Sequence, residues 1–543
     1  MKKGLSILLI IGLFVSLFSN GALARDMLQS APGENDQNRK PNPPDQLTVN
    51  SIENPTGVHE PTFGWYVDDP DDDEVQTKYQ IIVSSSLENI QQNTGDVWDS
   101  GEVESSKQSA IYYEGESLES NTRYYWKVRT WDAHGEKSEY SDVSYFDTGL
   151  LSNEDWKGAK WIKRDTDDPE DYTYARKNVN LPNKTIKRAM AYISATHTYH
   201  LYINEQLIGK GPTFAEPKYQ YYNSYDVTDV LNEGEENNFS VLYHWYGGGQ
   251  GRPASARGLI AKVIVEYSDG TTTEIVTDGT WKVKKAEQWK YVGQRNPGEG
   301  VGYIEKIDAR DVPEGWNTVS FDDSGWEAAT EIGEHPVAPW TGNLLSDQTK
   351  IVETEVKPVS IHDMGNGKYV IDFGKVYAGV PQITFSGGEP GTTITMRSGY
   401  TLNEDGTVST RTTQRTDMSY YYILDGSTTT FRPFHYLGFR YLQVDNAPNE
   451  LTEENVTLIR RHAELDGSRS SFHSSNEMLN RVWELMKDSL YLGAQEGFVD
   501  TPTREKGQFL GDATVMPVMQ VFGERVMTLK AINEFTRSQW DDG

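Results

Sequence analysis

The chain has 543 residues, a net charge of −30 from 81 acidic and 51 basic side chains, and no cysteine. A surface this acidic repels polyanions, so the composition argues against nucleic acid and anionic membranes as partners. The lack of cysteine excludes disulfides, thiolate nucleophiles and zinc–thiolate sites within these residues, and the length predicts about three to five domains.

The first 24 residues have the pattern of a secretory signal peptide. Lys2 and Lys3 precede an apolar run over residues 5–18, and an Ala-Leu-Ala cleavage site ends at Ala24. The run is short and is soon followed by polar sequence, so it does not predict a membrane span. We therefore expect a secreted, cell-surface or periplasmic protein, cleaved near Ala24, with a flexible linker over residues 25–43.

Residues 44–149 alternate between apolar and polar residues in short runs that are separated by turn signals. The runs over residues 78–83 and 123–131 are examples. Their number and spacing predict a β-sandwich of about 100 residues, and the run from Tyr124 to Gly135 resembles the late strands of a fibronectin type III module. The acidic run over residues 68–74 lacks the glycine and terminal glutamate of an EF-hand loop, and we interpret it as a solvated turn.

Two further β-rich regions follow. Residues 150–348 contain strand-like runs such as 189–194 and 259–267, which predict a second sandwich of carbohydrate-binding type. Residues 349–462 contain more short alternating runs, among them 369–374 and 434–444, which predict a third sandwich.

After residue 462 the apolar spacing changes to that of a helix. The segment Ser474-Ser-Asn-Glu477 has the pattern of a capping box, and apolar residues then recur at helical spacing. They are Met478, Leu479, Val482, Trp483, Met486 and Leu490. Residues 524–540 are again amphipathic, so the sequence predicts helices on both sides of an irregular loop.

That loop, residues 500–512, concentrates charged side chains. Asp500, Glu505 and Asp512 are acidic, and Arg504 directly precedes the central glutamate. Loops held by rigid elements often carry catalytic groups. The pattern therefore predicts a carboxylate-rich pocket rather than a solvated surface.

The motif Asp500-x-Pro-x-Arg-Glu-(x)6-Asp512, with the upstream segment Phe434-His-Tyr-Leu-Gly-Phe-Arg-Tyr, resembles the bacterial α-L-rhamnosidases of glycoside hydrolase family 78. The resemblance implies a multidomain fold of three successive mainly-β sandwich domains followed by the first helices of an (α/α)6 six-hairpin barrel. In that order, residues 44–149 are the fibronectin type III-like module, 150–348 the rhamnosidase N-terminal domain, 349–462 the rhamnosidase β-sandwich and 463–543 the start of the catalytic domain.

By this resemblance Glu505 is the general acid that protonates the glycosidic oxygen, and Asp500, Arg504 and Asp512 bind hydroxyls of a terminal rhamnose. A glycosidase needs one carboxyl group that stays protonated near neutral pH, and neighbouring carboxylates raise a pKa in that direction. Arg504 would act against this effect on Glu505. We therefore expect Arg504 to pair with Asp500 or with substrate.

The family mechanism is inverting and requires a second glutamate as general base. No glutamate of this chain matches that residue, because Glu524 and Glu534 fit helix surfaces better. An (α/α)6 barrel takes on the order of 200 residues or more, whereas residues 464–543 number 80. The sequence therefore predicts a fragment of a longer enzyme, inactive alone.

The expected partner is a rhamnose-terminated glycan or glycoside, with no cofactor and no metal. His244 and His435 are expected to pack or to hydrogen-bond rather than to ligate a metal, since no second ligand stands at metal spacing. Two alternatives remain open: a six-hairpin glycosidase for another sugar, and a secreted carbohydrate-binding protein without catalysis. The sequence leaves the aglycone, the linkage and the oligomeric state undetermined.

Overall fold

The computed structural model describes residues 38–71, 74–212, 215–247, 253–297, 302–411, 413, 415–465, 470–512 and 524–539. The predicted signal peptide and residues 25–37 of the predicted linker lie outside these ranges. The described part of the chain is mostly β and contains several domains, which confirms the coarse fold prediction.

The first domain is a sandwich of two sheets. One sheet has the order β1-β2-β6, and the other has the order β4-β3-β7-β8 with β5 on the edge of β3. Phe63 and Trp126 are fully buried between them, with ring centroids 4.7 Å apart. The elements are β1 (Asp45–Val49), β2 (Thr62–Tyr66), β3 (Lys78–Ser84), helix α1 (Leu87–Gln91), β4 (Trp98–Asp99), β5 (Val103–Glu104), β6 (Ile111–Tyr112), β7 (Arg123–Trp131) and β8 (Ser144–Asp147).

The second domain is a larger sandwich. The next strands are β9 (Lys160–Lys163), β10 (Asp171–Asn180), β11 (Ile186–Thr196), β12 (Thr198–Ile203), β13 (Gln206–Gly211), β14 (Tyr221–Asp226), β15 (Glu236–Trp245), β16 (Gly258–Tyr267), β17 (Thr272–Val276), β18 (Lys282–Lys285), β19 (Lys306–Asp308), β20 (Glu327–Ala328), β21 (Thr330–Glu334) and β22 (Leu345–Ser346). All except β19 belong to two sheets, ordered β13-β12-β15-β10-β18-β20 and β21-β9-β16-β11-β14-β22, with β17 beside β16. Short 3-10 helices span Asn153–Trp156, Pro217–Tyr219, Thr228–Val230 and Ala309–Asp311.

Strand β11 is buried along most of its length because both of its faces are covered. Ala191 and Ile193 point into the core between the two sheets. Met190 and Tyr192 point to the opposite face and join a second cluster that contains Trp161. This explains why the strand is a nearly continuous apolar run rather than a strict alternation.

The third domain is built on one nine-stranded sheet. Its strands are β19, described above, and β23 (Ile351–Val356), β24 (Ser360–Gly365), β25 (Lys368–Ser386), β26 (Thr393–Gly399), β27 (Ser419–Ile423), β28 (Thr428–Phe431), β29 (Leu437–Asp445) and β30 (Val456–Ala463). The order is β19-β27-β26-β29-β25-β30-β23, with β24 and β28 pairing with the two ends of β25. A register shift between Asp372 and Tyr377 bends β25, and both halves of this strand contribute to one core.

Two longer helices follow: α2 (Glu477–Gly493) and α3 (Val526–Arg537). The predicted capping box at Ser474 is wrong. Asn476 is the N-cap, and its side chain accepts the N–H of Met478 at 3.0 Å, while Ser474 Oγ accepts the N–H of Asn476. Among the described helices, none combines the length and apolar character that a membrane span requires.

Candidate active site

The acid loop, defined here as residues 500–512, follows α2 and contains neither α-helix nor strand. It closes on itself because Asp500 and Gly507 exchange two hydrogen bonds. The Asp500 N–H donates to the Gly507 carbonyl at 2.9 Å, and the Gly507 N–H donates to Asp500 Oδ1 at 3.0 Å. Lys506 has a φ of 53°, the left-handed region that reverses the chain direction. The predicted irregular loop is therefore confirmed.

Arg504 pairs with Glu505 inside this loop. Arg504 Nη2 lies 2.5 Å from Glu505 Oε1, and the Glu505 side chain is buried. The sequence predicts a contact of Arg504 with Asp500 or with substrate, and it does not predict this pair with Glu505. Both residues lie in the turn over residues 502–505.

Asp500 and Glu505 also interact, and this interaction contributes to a raised pKa of Asp500. The pKa of Asp500 is raised to about 6, mainly by burial and also by the charge of Glu505 and a hydrogen bond to it. The backbone N–H groups of Gly507 and Thr501 act in the opposite direction. The pair of carboxyl groups therefore holds a proton closer to neutral pH than an isolated aspartate does.

Asp512 stands at the end of this described stretch of the chain and is exposed. Its N–H donates to the carbonyl of Phe509 at 3.1 Å. Within the ranges that the structure describes, no side chain hydrogen-bonds its carboxylate. The structure thus brings Asp500, Arg504 and Glu505 together and leaves Asp512 facing solvent.

The acid loop is anchored on both sides by residues that the sequence reasoning did not single out. Thr503 hydrogen-bonds Tyr400 and Gly438 of the third domain, and Lys506 Nζ donates to the Tyr436 carbonyl at 2.5 Å. On the other side Gln508 donates to Glu534 of α3 at 2.7 Å. Tyr436 and Gly438 belong to the segment that accompanied the loop motif in the sequence, and that co-occurrence was the available signal.

A cavity of about 50 Å³ lies between the second domain, the third domain and the acid loop. Lys210, Arg461 and Lys506 are among its lining residues. The charges are largely compensated within the protein: Lys210 pairs with Glu353 at 2.6 Å, and Arg461 pairs with Glu496 at 2.8 Å. This cavity therefore presents paired charges and does not indicate a particular ligand.

The second and third domains meet at a pair of histidines. His244 Nδ1 lies 2.5 Å from His435 Nε2, and His244 Nε2 lies 3.4 Å from Glu170 Oε1. Burial lowers the pKa of His244 to about 3, so this ring is neutral at physiological pH. The prediction that His244 and His435 hydrogen-bond is confirmed.

One group of described residues has the composition of a metal site: Glu74, Asp132 and His134. Its donors already have partners. Asp132 Oδ1 accepts the N–H groups of His134 and Glu136, and Glu74 Oε1 lies 2.9 Å from His134 Nδ1. These contacts describe a hydrogen-bonded turn of the first domain, and we assign no metal to it.

Comparison with known protein families gives three matches in succession. Residues 44–152 match a Rha78A-like N-terminal immunoglobulin domain, residues 184–363 match an α-L-rhamnosidase N-terminal domain, and residues 362–462 match a bacterial α-L-rhamnosidase concanavalin-like domain. The third match contains the segment that anchors the acid loop.

Comparison with individual proteins also finds similarity to α-L-rhamnosidases. An α-L-rhamnosidase of Formosa agariphila is 28% identical over 86% of this chain and 53% of its own length, and one of Alteromonas sp. is 26% identical over 90% and 55%. The solved structure of an α-L-rhamnosidase from Dictyoglumus thermophilum has 31% identity and a TM-score of 0.82, covering 92% of this chain and 58% of that one. The chain thus spans about half the length of the curated relatives it matches.

Proposed function

We propose that the full-length protein removes terminal α-L-rhamnose from glycosides or glycans, starting from the resemblance of this chain to the bacterial α-L-rhamnosidases of glycoside hydrolase family 78. The resemblance that the loop motif first gave is confirmed by two α-L-rhamnosidase domain matches and by similarity over most of the chain. The activity itself is a proposal, because the chain covers 53% of the Formosa agariphila protein and 58% of the Dictyoglumus thermophilum structure.

The acid of the reaction is proposed to be Glu505. The observation that supports this role is the contact of two carboxyl groups in a buried loop, with the pKa of Asp500 raised to about 6 by burial and by Glu505. The raised pKa keeps a proton on Asp500, in hydrogen-bond contact with Glu505, up to mildly acidic pH, and protonation of a glycosidic oxygen requires such a proton at the site.

Arg504, Asp500 and Asp512 are proposed to bind hydroxyl groups of the sugar. In the free protein Arg504 is paired with Glu505, and in the complex its guanidinium is proposed to donate a hydrogen bond to a sugar hydroxyl as well. Asp512 is exposed, and its carboxylate is therefore accessible to a ligand.

The mechanism is proposed to be inverting, with a water molecule activated by a second carboxylate about 6.5–9.5 Å from the acid. No residue of the chain is assigned to that base. Helices α2 and α3 are proposed to be the first helices of the (α/α)6 barrel that would hold it, and the apolar residues exposed on α2 support this proposal.

Export is proposed from the N-terminal sequence alone. The predicted signal peptide ends near Ala24 and lies outside the described residues. N-terminal sequencing of the protein recovered from culture medium or periplasm tests this directly, and an intact N-terminus on cytoplasmic protein would contradict it.

The experiment that tests the function replaces Glu505 by glutamine in the full-length protein. We expect Glu505→Gln to lower turnover of phenyl α-L-rhamnoside, an aryl rhamnoside with a poor leaving group, by roughly 10²-fold or more, because the proton donor is lost. Turnover is measured with the wild type and with Glu484→Gln as a matched control, since Glu484 is exposed on α2. Wild-type protein that binds rhamnose without hydrolysing any rhamnoside would instead favour the carbohydrate-binding alternative.

A further inference from the structure

One contact of the acid loop with the third domain is made by the hydroxyl group of Thr503. Thr503 is 2% exposed. Its Oγ1 accepts hydrogen bonds from the Tyr400 hydroxyl at 2.7 Å and from the Gly438 N–H at 3.1 Å, and it donates to the Gly438 carbonyl at 3.2 Å. Every hydrogen-bonding position of this hydroxyl is therefore used, and all of the partners belong to the sandwich.

The sandwich has room for the loop because residue 438 has no side chain. A Cβ at Gly438 would lie 2.5 Å from Pro502 Cγ and 3.1 Å from Thr503 Oγ1. Glycine at this position of β29 therefore permits the close approach of the two backbones. Gly438 and the loop motif are complementary parts of one contact.

The residue after Glu505 makes a second contact with the same sandwich. Lys506 is 6% exposed, its Nζ donates to the Tyr436 carbonyl at 2.5 Å, and it lies 4.0 Å from the centre of the Tyr436 ring. Thr503 and Lys506 thus lie on either side of Glu505 in the sequence. They bind Gly438 and Tyr436, which are two residues apart at the start of β29.

The far side of the loop is joined to α3 and, through it, to the second domain. Gln508 accepts the Phe498 N–H at 2.9 Å and donates to Glu534 at 2.7 Å. Lys530 pairs with Glu534 at 3.2 Å and lies 5.1 Å from the centre of the Tyr221 ring on β14. The acid loop is therefore held between the third domain on one side and α3 on the other, and α3 in turn contacts β14 of the second domain.

We infer that Thr503 and Lys506 are positioning residues: the third domain, through Tyr400, Tyr436 and Gly438, sets the place of the Glu505 carboxyl group. The inference rests on the proposed function, since it takes Glu505 as the proton donor. The β-domain beside the loop is then part of the catalytic apparatus and not an independent sugar-binding module. Misplacing a catalytic group by about 1 Å is enough to cost roughly 10²-fold in rate.

The test compares two rhamnosides that differ in their need for an acid. A nitrophenyl rhamnoside has a leaving group that departs with little protonation, whereas a methyl or phenyl rhamnoside requires a proton donor. In the full-length protein we expect Thr503→Val to lower kcat on the poor leaving group by about 10²-fold, to lower kcat on the nitrophenyl substrate much less, and to change KM little. Thr503→Ser keeps the hydroxyl group and is expected to restore both rates.

Two further variants control for folding. Tyr400→Phe removes the shortest of the three hydrogen bonds of Thr503 Oγ1 and leaves the sequence of the loop unchanged. It replaces Thr503→Val in the test if that variant does not fold. We expect a smaller loss of kcat with the same dependence on the leaving group. Thr430→Val removes a threonine hydroxyl from the sandwich surface, where Thr430 is exposed and pairs with Thr384 at 2.9 Å. This control should behave as the wild type.

Hydrogen exchange of the peptide covering residues 498–512 provides a measurement that needs no activity. Faster exchange of this peptide in Thr503→Val, with exchange of the other sandwich peptides unchanged, supports the anchoring of the loop. This result holds even if the wild-type protein hydrolyses neither substrate. Failure of the wild type to hydrolyse either substrate would contradict the proposed function and not the anchoring. Equal losses on both substrates with unchanged loop exchange, or wild-type rates on both, would overturn the positioning role.

Discussion

At the scale of single residues, Glu170 shows how burial couples a carboxyl group to pH. Its side chain is 8% exposed, and burial raises its pKa to about 8. A raised pKa in the folded state means that the contribution of Glu170 to stability is complete below the ordinary value near 4.5 and is lost as the pH rises through 8. The neutral form lies against His244, whose Nε2 is 3.4 Å away.

We therefore predict that Glu170→Gln becomes more stable than the wild type in alkaline solution. The amide resembles the protonated carboxyl group, so the difference should be small at pH 5 and grow to roughly 2–4 kcal/mol by pH 9. Thermal unfolding measured between pH 5 and 9 checks the prediction, with the exposed Glu235→Gln of the same domain as the control. Parallel curves for Glu170→Gln and wild type across this range would contradict it.

The sequence predicted the residues of the acid loop better than their pairing. The sequence singled out three acids and one arginine, of which the structure brings Asp500, Arg504 and Glu505 together. It did not predict the Arg504–Glu505 pair or the left-handed conformation of Lys506. Lysine carries no signal for that conformation. Glu170 gave no signal either, because its surroundings come from strands distant in sequence.

At the scale of elements, β19 joins two domains. Its three residues pair in parallel with β27 of the third domain, although the chain on both sides of β19 belongs to the second. Glu305, which precedes β19, is 1% exposed. Its carboxylate accepts the N–H groups of Phe434 and His435 at 2.7 and 2.9 Å, and the Trp289 indole N–H at 3.1 Å.

We predict that Glu305→Ala weakens this junction strongly. The substitution leaves three N–H groups without their acceptor, which costs about 2–5 kcal/mol, and Glu305→Gln should lose less because one acceptor oxygen remains. Urea unfolding followed by tryptophan fluorescence measures the loss, with the exposed Glu287→Ala as the control. A Glu305→Ala protein as stable as Glu287→Ala would show that β19 and Glu305 contribute little to the junction.

The apolar runs 369–374 and 434–444 located part of β25 and most of β29 from the sequence. A strand as short as β19 could not be located, since three residues carry no periodicity. The start of α2 was misassigned for a related reason: Ser474 and Asn476 are both good capping residues, and the choice of Asn476 depends on where the chain leaves the sandwich.

At the scale of the whole molecule, the acidic composition of the chain contrasts with apolar side chains that are exposed on α2 and α3. Met478, Leu485 and Met486 of α2 are 62%, 67% and 53% exposed, and Leu529 of α3 is 61% exposed. Several exposed apolar side chains on one helix favour an interface there. If the proposed barrel is correct, these side chains are buried by further helices in the full-length protein.

The last prediction compares the same double substitution, Leu485→Lys with Met486→Lys, in two proteins. In the 543-residue chain it should reduce self-association and the binding of a hydrophobic dye, and it should leave the unfolding of the β-domains unchanged, because the side chains are exposed there. In the full-length protein it should destabilise the helical domain by roughly 2–4 kcal/mol per site, since it would place charges in a core. Sedimentation and thermal unfolding measure both effects, with Glu484→Lys on the exposed surface of α2 as the control for added charge. Equal tolerance in the two proteins would mean that the apolar surface of α2 faces solvent in both, and the proposal that α2 begins a barrel would then be abandoned.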